Sequence, residues 1–375
     1  MEVVARHYRT GQPVRVAWEN GVYAVIEAVE TTETSLPWVA PGLVDIQVNG
    51  FGGVDFNRPL ASPNDWEQAT DALYKFGCTH FLIALITNRR SVYAELVQSI
   101  EEHRRARPRN CLGYHFEGPF LNPEPGYHGA HCTDWMSAPR LDLFEEWQTL
   151  TRNRVRLVTL APEVDFVAAR KLIERAVSSG VRVSAGHSAL MGEELERTMS
   201  WGLSAWTHLG NAAPNPTDKF RNVIFSALAQ DNLFASLIPD GKHVPAPVFK
   251  VISRYLGERL LLTTDAMAGA CAGPGRYSLC HMDIDVGDDG IARIPGQPFL
   301  AGSTLTPFEG VFYAAQMNGA PWQEMWDAFS VRPARWLGIK HGLELGNEAS
   351  FCLLNPDPNP QLAATYSRGA LASEN

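Results

Sequence analysis

The chain has 375 residues, of which 45% are hydrophobic and 19% charged, and a formal net charge of -9. That length exceeds one ordinary domain but suits a strand–helix barrel of about 250 residues with a small companion domain. The acidic balance, spread without a basic stripe, argues against nucleic acid, and no run of about 18 apolar residues is present to span a membrane.

Taken in chain order, residues 1–40 read as short strands, chiefly 14–18 and 23–29. Eight apolar runs follow, at 43–48, 79–85, 112–116, 155–160, 181–185, 203–207, 233–238 and 260–264. Continuous apolar runs fit strands buried on both faces, as a parallel sheet requires. Between them lie stretches with helical spacing of apolar residues, at 64–76, 89–105, 166–178 and 193–200. Eight such units predict a (β/α)8 barrel, whose chemistry sits at the carboxyl ends of its strands. Residues 277–300, with the glycine-bounded loop 287–290, read as an inserted β-hairpin. A helix over 322–337 is followed by strands at 350–354 and 363–366. The flanking β segments suggest one small sheet domain made from both ends. The expected domains are therefore 1–40 with 338–375, a β-sandwich, and 41–337, the catalytic barrel.

The six cysteines contain no CxxC pair, and in a chain without a secretion signal after Met1 they read as free thiols. The expected compartment is the cytoplasm.

Polar residues fall at the ends of these runs. Glu117 closes the third, in His115-Phe116-Glu117-Gly118-Pro119; His187 closes the fifth and His208 the sixth. Alone, each has an ordinary explanation as a loop acid or a hydrogen-bonded histidine. Together, two imidazoles at the ends of adjacent strands, about 4.8 Å apart, and a carboxylate form a catalytic metal set with an open position for water. Asp265 closes the eighth run. It is placed to take a proton from such a water, and its competing reading as a helix cap is weakened by the glycines after it. His243, in Asp240-Gly241-Lys242-His243, is a candidate for substrate binding. One of His128 and His131 is a candidate for polarising a carbonyl. His7, His103, His281 and His341 read as surface residues. No phosphate loop, dinucleotide fingerprint or serine elbow is present.

The series Pro41-Gly42-Leu43-Val44-Asp45-Ile46-Gln47-Val48-Asn49-Gly50, Glu117-Gly118-Pro119-Phe120, Leu160-Ala161-Pro162-Glu163, Ala185-Gly186-His187-Ser188, Thr207-His208-Leu209, Thr264-Asp265-Ala266 and Ala301-Gly302-Ser303-Thr304-Leu305-Thr306 resembles the N-acetylglucosamine-6-phosphate deacetylase family of amidohydrolases. The likeness runs in order over residues 40–356. It implies metal-dependent removal of the acetyl group from N-acetylglucosamine 6-phosphate. Glu117, His187 and His208 would bind the metal, and Asp265 would act as base and then acid. The resemblance also implies His131 at the carbonyl, within Gly129-Ala130-His131, with His128 a second candidate close by. His243 and the backbone of Asn211-Ala212 would contact the substrate.

Many related amidohydrolases carry His-x-His where this chain has Gln47-Val48-Asn49. Amides are poor ligands beside imidazole and carboxylate, so one ion is expected, Zn2+ before Fe2+ or another divalent metal. The family's phosphate-binding arginine motif is missing; Lys219 or Arg221 stands nearest, and Lys does not reproduce Arg's forked contact. The resemblance leans toward a homodimer. The readings set against this one are a deacetylase of a different or unphosphorylated N-acetyl amino sugar, and a non-catalytic sugar-phosphate sensor.

Overall fold

A computed structural model of the protein describes residues 1–106, 111–297, 300–357 and 359–375. Eight parallel strands form one sheet: β1 (Leu43–Val48), β2 (Cys78–Ile86), β3 (Cys111–Glu117), β4 (Val155–Leu160), β5 (Arg182–Ala185), β6 (Ala205–Trp206), β7 (Phe234–Leu237) and β8 (Leu260–Leu262). They neighbour one another in sequence order. All nine residues of β2 and all six of β1 are buried. Helices cover the outer face and side chains fill the inner one, which explains the unbroken apolar runs.

The ladder stops between β8 and β1, and the gap is closed by other bonds. Asp45, wholly buried in β1, accepts hydrogen bonds from the Thr263 and Thr264 hydroxyls, both at 2.5 Å. Just above, Val48 bridges Ala266, and the Asn49 amide donates to the Ala266 carbonyl at 2.8 Å. The barrel thus closes as expected, but its last seam is a carboxylate clamp.

The helices on the outer face are α1 (Pro63–Lys75), α2 (Arg90–Ala106), α3 (Leu141–Leu150), α4 (Phe166–Ser178), α5 (Gly192–Ser200), α6 (Val223–Leu228), α7 (Ala246–Leu256) and α8 (Pro307–Asn318). The single helix expected over 322–337 is two, α9 (Trp322–Ala328) and α10 (Val331–Trp336). The break has a tertiary cause: the Val44 amide donates to the Phe329 carbonyl at 2.9 Å, and the Ser330 hydroxyl donates to the Gly42 carbonyl at 2.6 Å. The Phe329 carbonyl is open to the Val44 amide because its helical partner would be the nitrogen of Pro333, which carries no proton.

Both ends of the chain share a seven-stranded sheet. Its order is Ala370–Glu374, Leu362–Ser367, Phe351–Leu354, Trp38–Pro41, Glu2–His7, Pro13–Glu19 and Val22–Ala28. All pairings are antiparallel except that of Glu2–His7 with Trp38–Pro41. Trp18, Phe351 and Tyr366 pack together in it, with the last two rings stacked at 4.5 Å. The insertion after β8 is three short strands rather than a hairpin alone, at Gly275–Leu279, Met282–Val286 and Ala292–Arg293; its residues 298 and 299 lie outside the described residues.

His341 corrects the surface reading. Its Nε2 lies 2.7 Å from the Gly42 carbonyl and its ring packs at 4.9 Å on His80. Burial, reinforced by His80, pushes its pKa down to about 3. All six cysteines are free thiols.

Candidate active site

At the carboxyl ends of the strands lies a cavity of about 640 Å3. Its floor is made by Glu117 at the end of β3, and by His187, His208 and Asp265, which follow β5, β6 and β8. His187, His208 and Asp265 have φ of 52°, 34° and 51°. Residues other than glycine seldom occupy this left-handed region, and at a strand end it turns the chain abruptly. With Ala212, whose φ is 43°, four such residues around one cavity mark strain gathered at one place.

Glu117 Oε1 lies 2.7 Å from His208 Nε2 and 3.3 Å from His187 Nε2. Nδ1 of His187 is 2.7 Å from the Tyr127 carbonyl. A carbonyl only accepts, so Nδ1 carries the proton, and Nε2 of the neutral ring is a lone pair aimed at a carboxylate. Two acceptors in that position repel unless a proton or a cation lies between them. The donor set therefore fits a divalent metal, and the bond from His187 to the Tyr127 carbonyl is the outer support such ligands commonly have.

His131 also reaches this centre, with Nε2 3.8 Å from Glu117 Oε2. Candidate ligand atoms of Glu117, His131 and His187 all lie within 4.8 Å of one another. The hydrogen bonds nonetheless separate His131 from the other two histidines. Its Nδ1 receives the Thr87 backbone N–H at 3.4 Å and lies 2.9 Å from the Thr87 hydroxyl. An accepting Nδ1 leaves the proton on Nε2, which suits a donor to a carbonyl oxygen better than a metal ligand. Burial, with His187 beside it, lowers the His131 pKa to about 3 and keeps the ring neutral.

Asp265 is held from one side. Its Oδ1 accepts from Gln47 Nε2 at 2.9 Å and Asn49 Nδ2 at 2.7 Å. Burial, and then the Glu117 charge, raises its pKa to about 7. Glu117 goes the other way. Burial pushes its pKa up, but the close approach of His187 and His208 prevails and holds it well below the usual carboxylate range. For His208, burial opposes the charge and the Glu117 contact outweighs it, raising its pKa. Neighbouring carboxylates driven apart in this way are a common mark of acid–base chemistry.

His243 lines the wall, its Nδ1 bonded to Asp240 Oδ2 at 2.7 Å. Asn211 and Ala212 line it as well. His128 does not, so of the two neighbouring histidines only His131 meets the cavity. Lys219 and Arg221 are also outside the lining. They sit on an exposed turn whose backbone amides at Phe220 and Arg221 cap Asp218, which holds the loop in its own local bonds. Neither residue expected at the phosphate therefore borders the cavity.

No protein-family model matches the chain. It is 30% identical over 347 residues to the N-acetylglucosamine-6-phosphate deacetylase of Rattus norvegicus, a match spanning 89% of this chain and 83% of that protein. The chain belongs to the N-acetylglucosamine-6-phosphate deacetylase family. An aspartate-to-alanine variant of the deacetylase from Mycobacterium smegmatis, solved with N-acetyl-D-glucosamine-6-phosphate, has a TM-score of 0.88 and 26% identity over 99% of each chain. The N-acetylgalactosamine-6-phosphate deacetylase of Escherichia coli O157:H7 is 27% identical over 361 residues, covering 94% of this chain and 93% of that one.

Sequence reasoning missed the residues that hold this deacetylase site in place. Gln47 and Asn49 register in the sequence as departures from His-x-His, and nothing there says that they grip Asp265. Thr87 ends no motif, yet it sets the His131 tautomer. Glu163, in Leu160-Ala161-Pro162-Glu163, accepts from the Ser188 hydroxyl at 2.7 Å and so steadies the turn after His187.

Proposed function

We propose that the chain hydrolyses the acetamide of N-acetylglucosamine 6-phosphate, releasing acetate and glucosamine 6-phosphate. The observation that carries this is Asp265, anchored through one oxygen and without a hydrogen-bond partner among the described residues at the other, above the converging Glu117, His187 and His208. A single divalent ion, zinc in this reading, held by those three residues would supply the charge that acidifies water and polarises the carbonyl.

The protein's own groups do the rest. The free oxygen of Asp265 takes a proton from the attacking water. The water oxygen bonds to the acetyl carbon, and His131 Nε2–H donates to the carbonyl oxygen as it gains charge. Asp265 returns the proton to the amine nitrogen as the carbon–nitrogen bond breaks. Asn49 Oδ1 is buried with no partner among the described residues, and it faces the cavity as an acceptor for a substrate N–H or O–H. His243 and the Asn211–Ala212 turn take the sugar phosphate.

A second reading rests on one feature of the lining. Among the described residues no lysine or arginine borders the cavity, so either a second copy in a homodimer supplies the phosphate's cation, or the sugar is unphosphorylated. Acetate release by the metal-loaded protein, compared on N-acetylglucosamine with and without the 6-phosphate, separates them. A kcat/KM at least 100-fold higher on the phosphate supports the main reading, and equal rates overturn the phosphate. The galactosamine epimer should be run in parallel. We place the enzyme in the cytoplasm. No helix among the described residues is long and apolar enough to cross a membrane.

A further inference from the structure

We propose that the opposite pole of the barrel carries a second ligand site, for a small phosphate-bearing anion, built by Arg182, Arg259, Arg332 and Arg335. The inference does not rest on the deacetylase reading. A cavity of about 280 Å3 opens there. Arg182 begins β5, Arg259 directly precedes β8, and Arg332 and Arg335 lie on α10. The site is thus at the amino ends of the strands, a strand length from the cavity that holds Asp265.

Four arginines and one carboxylate, that of Glu258, line the site. Glu258 is 70% exposed in its side chain, and its oxygens lie 2.8 Å from Arg332 and 3.7 Å from Arg335. Arg259 is spent on the Gln230 and Leu233 carbonyls, at 2.6 and 3.2 Å. The Arg182 side chain makes no hydrogen bond or ion pair among the described residues, and its Nε is buried. Arg332 is only 8% exposed; its Nη1 donates to the Gly257 carbonyl at 3.1 Å, and its Nε is buried without a partner among the described residues. Burial, against the pull of Glu258 and together with Arg335 and Arg9, lowers the Arg332 pKa.

Concentrating positive charge in an otherwise acidic chain costs stability unless an anion answers it, and buried donors without acceptors cost more. Phosphate has the chemistry for the role. Its oxygens accept from several guanidiniums at once, and the forked geometry of Arg suits them. The volume is just under the common range for drug-sized ligands, about 300–1,000 Å3, so the anion is small. Phe234 and Trp336, with ring centroids 6.4 Å apart, give the cavity an apolar side against which a short carbon skeleton packs.

The test is calorimetric titration of the full-length, metal-loaded protein with inorganic phosphate and with glycerol 3-phosphate, for wild type and the double variant Arg182→Gln/Arg335→Gln. Binding to wild type should weaken at least tenfold in the variant, while kcat/KM for acetate release stays within twofold. Tighter binding of glycerol 3-phosphate would support an organic phosphate on the aromatic side; equal binding would support inorganic phosphate itself. Superimposable isotherms, whether both flat or both reporting the catalytic cavity alone, would overturn the proposal. Arg182→Gln alone should not lower Tm without ligand, because its guanidinium has no partner to lose. A clear drop would mean that Arg182 is structural, and the site would fall with it.

Discussion

In the proposed reaction Asp265 needs one oxygen fixed and the other free, and Gln47 and Asn49 meet the first condition. Asp265→Asn should leave metal content and Tm near wild type while lowering kcat by about 10²–10⁴, the range for losing a positioned acid–base; metal analysis beside the rate checks this, and near-normal turnover would remove Asp265 from the chemistry. Asn49→Ala probes the grip. The Asn49 amide stabilises the charged carboxylate, so removing it raises the Asp265 pKa further above its ordinary value. Catalysis needs the ionised form, so the acid limb of the kcat/KM–pH profile should move to higher pH, and an unmoved limb would count against the assignment. At this scale the sequence displayed the residues that line the cavity, because histidines and acids at strand ends stand out against apolar runs. Their supports were not legible. Whether an amide is a failed ligand or a clamp on Asp265 depends on a partner 218 or 216 residues away, and spacing carries no trace of that. Lys219 and Arg221 show the converse, since their charge drew them into the phosphate reading although their loop closes on Asp218.

Elements were read well where pattern and packing agree. Val155–Leu160 and Phe166–Ser178 have the expected limits, since a continuous apolar run or helical spacing is undisturbed there. The expectation failed where a tertiary bond took the backbone, as at the Phe329 carbonyl between α9 and α10. The same join between β1 and the segment after α10 buries His341, which bears a measurable consequence. Its pKa in the folded protein is about 3, against roughly 6.5 in an unfolded chain. The unfolded state therefore binds the proton first. The stability that His341 contributes is complete above pH 6.5 and is lost as pH falls through 6.5 toward 3. Buried Asp45 and Asp55, each raised to about 6 by desolvation, act in the opposite sense and lose their contribution as pH rises toward 6. The informative quantity is thus a difference between proteins. His341→Gln keeps a donor for Gly42 but cannot take a proton. Its urea-unfolding free energy should fall less than that of wild type between pH 7 and pH 4.5, by about 2–3 kcal/mol on the scale of 1.36 kcal/mol per pKa unit. Parallel curves would mean that His341 titrates normally and is not buried as described.

At the scale of the molecule, the barrel and the shared sheet of the two chain ends were legible because eight repeated units and two flanking β segments admit few arrangements. How the barrel closes was not, because β8 has only three residues and the seam depends on one acid inside a run that otherwise reads as buried strand. Asp45 joins Gln47 N, Thr263 and Thr264 from opposite sides of that seam. Gln47 lies on β1, Asn49 directly follows it and Asp265 follows β8, so the seam also sets the distance between the proton acceptor and its anchors. Asp45→Ala should strand two buried hydroxyls and at least one backbone amide. At about 1–3 kcal/mol for each unsatisfied group, partly relieved by relaxation, a loss of about 3–5 kcal/mol follows. Asp45→Asn keeps one acceptor oxygen and should lose less. If the clamp also positions the site, Asp45→Asn will lower kcat severalfold at a temperature where the variant is fully folded, leave metal content unchanged, and change KM little. A fully active Asp45→Asn with lowered Tm would confine Asp45 to holding the barrel shut. An Asp45→Ala protein as stable as wild type would show that the Val48–Ala266 bridge closes the barrel unaided.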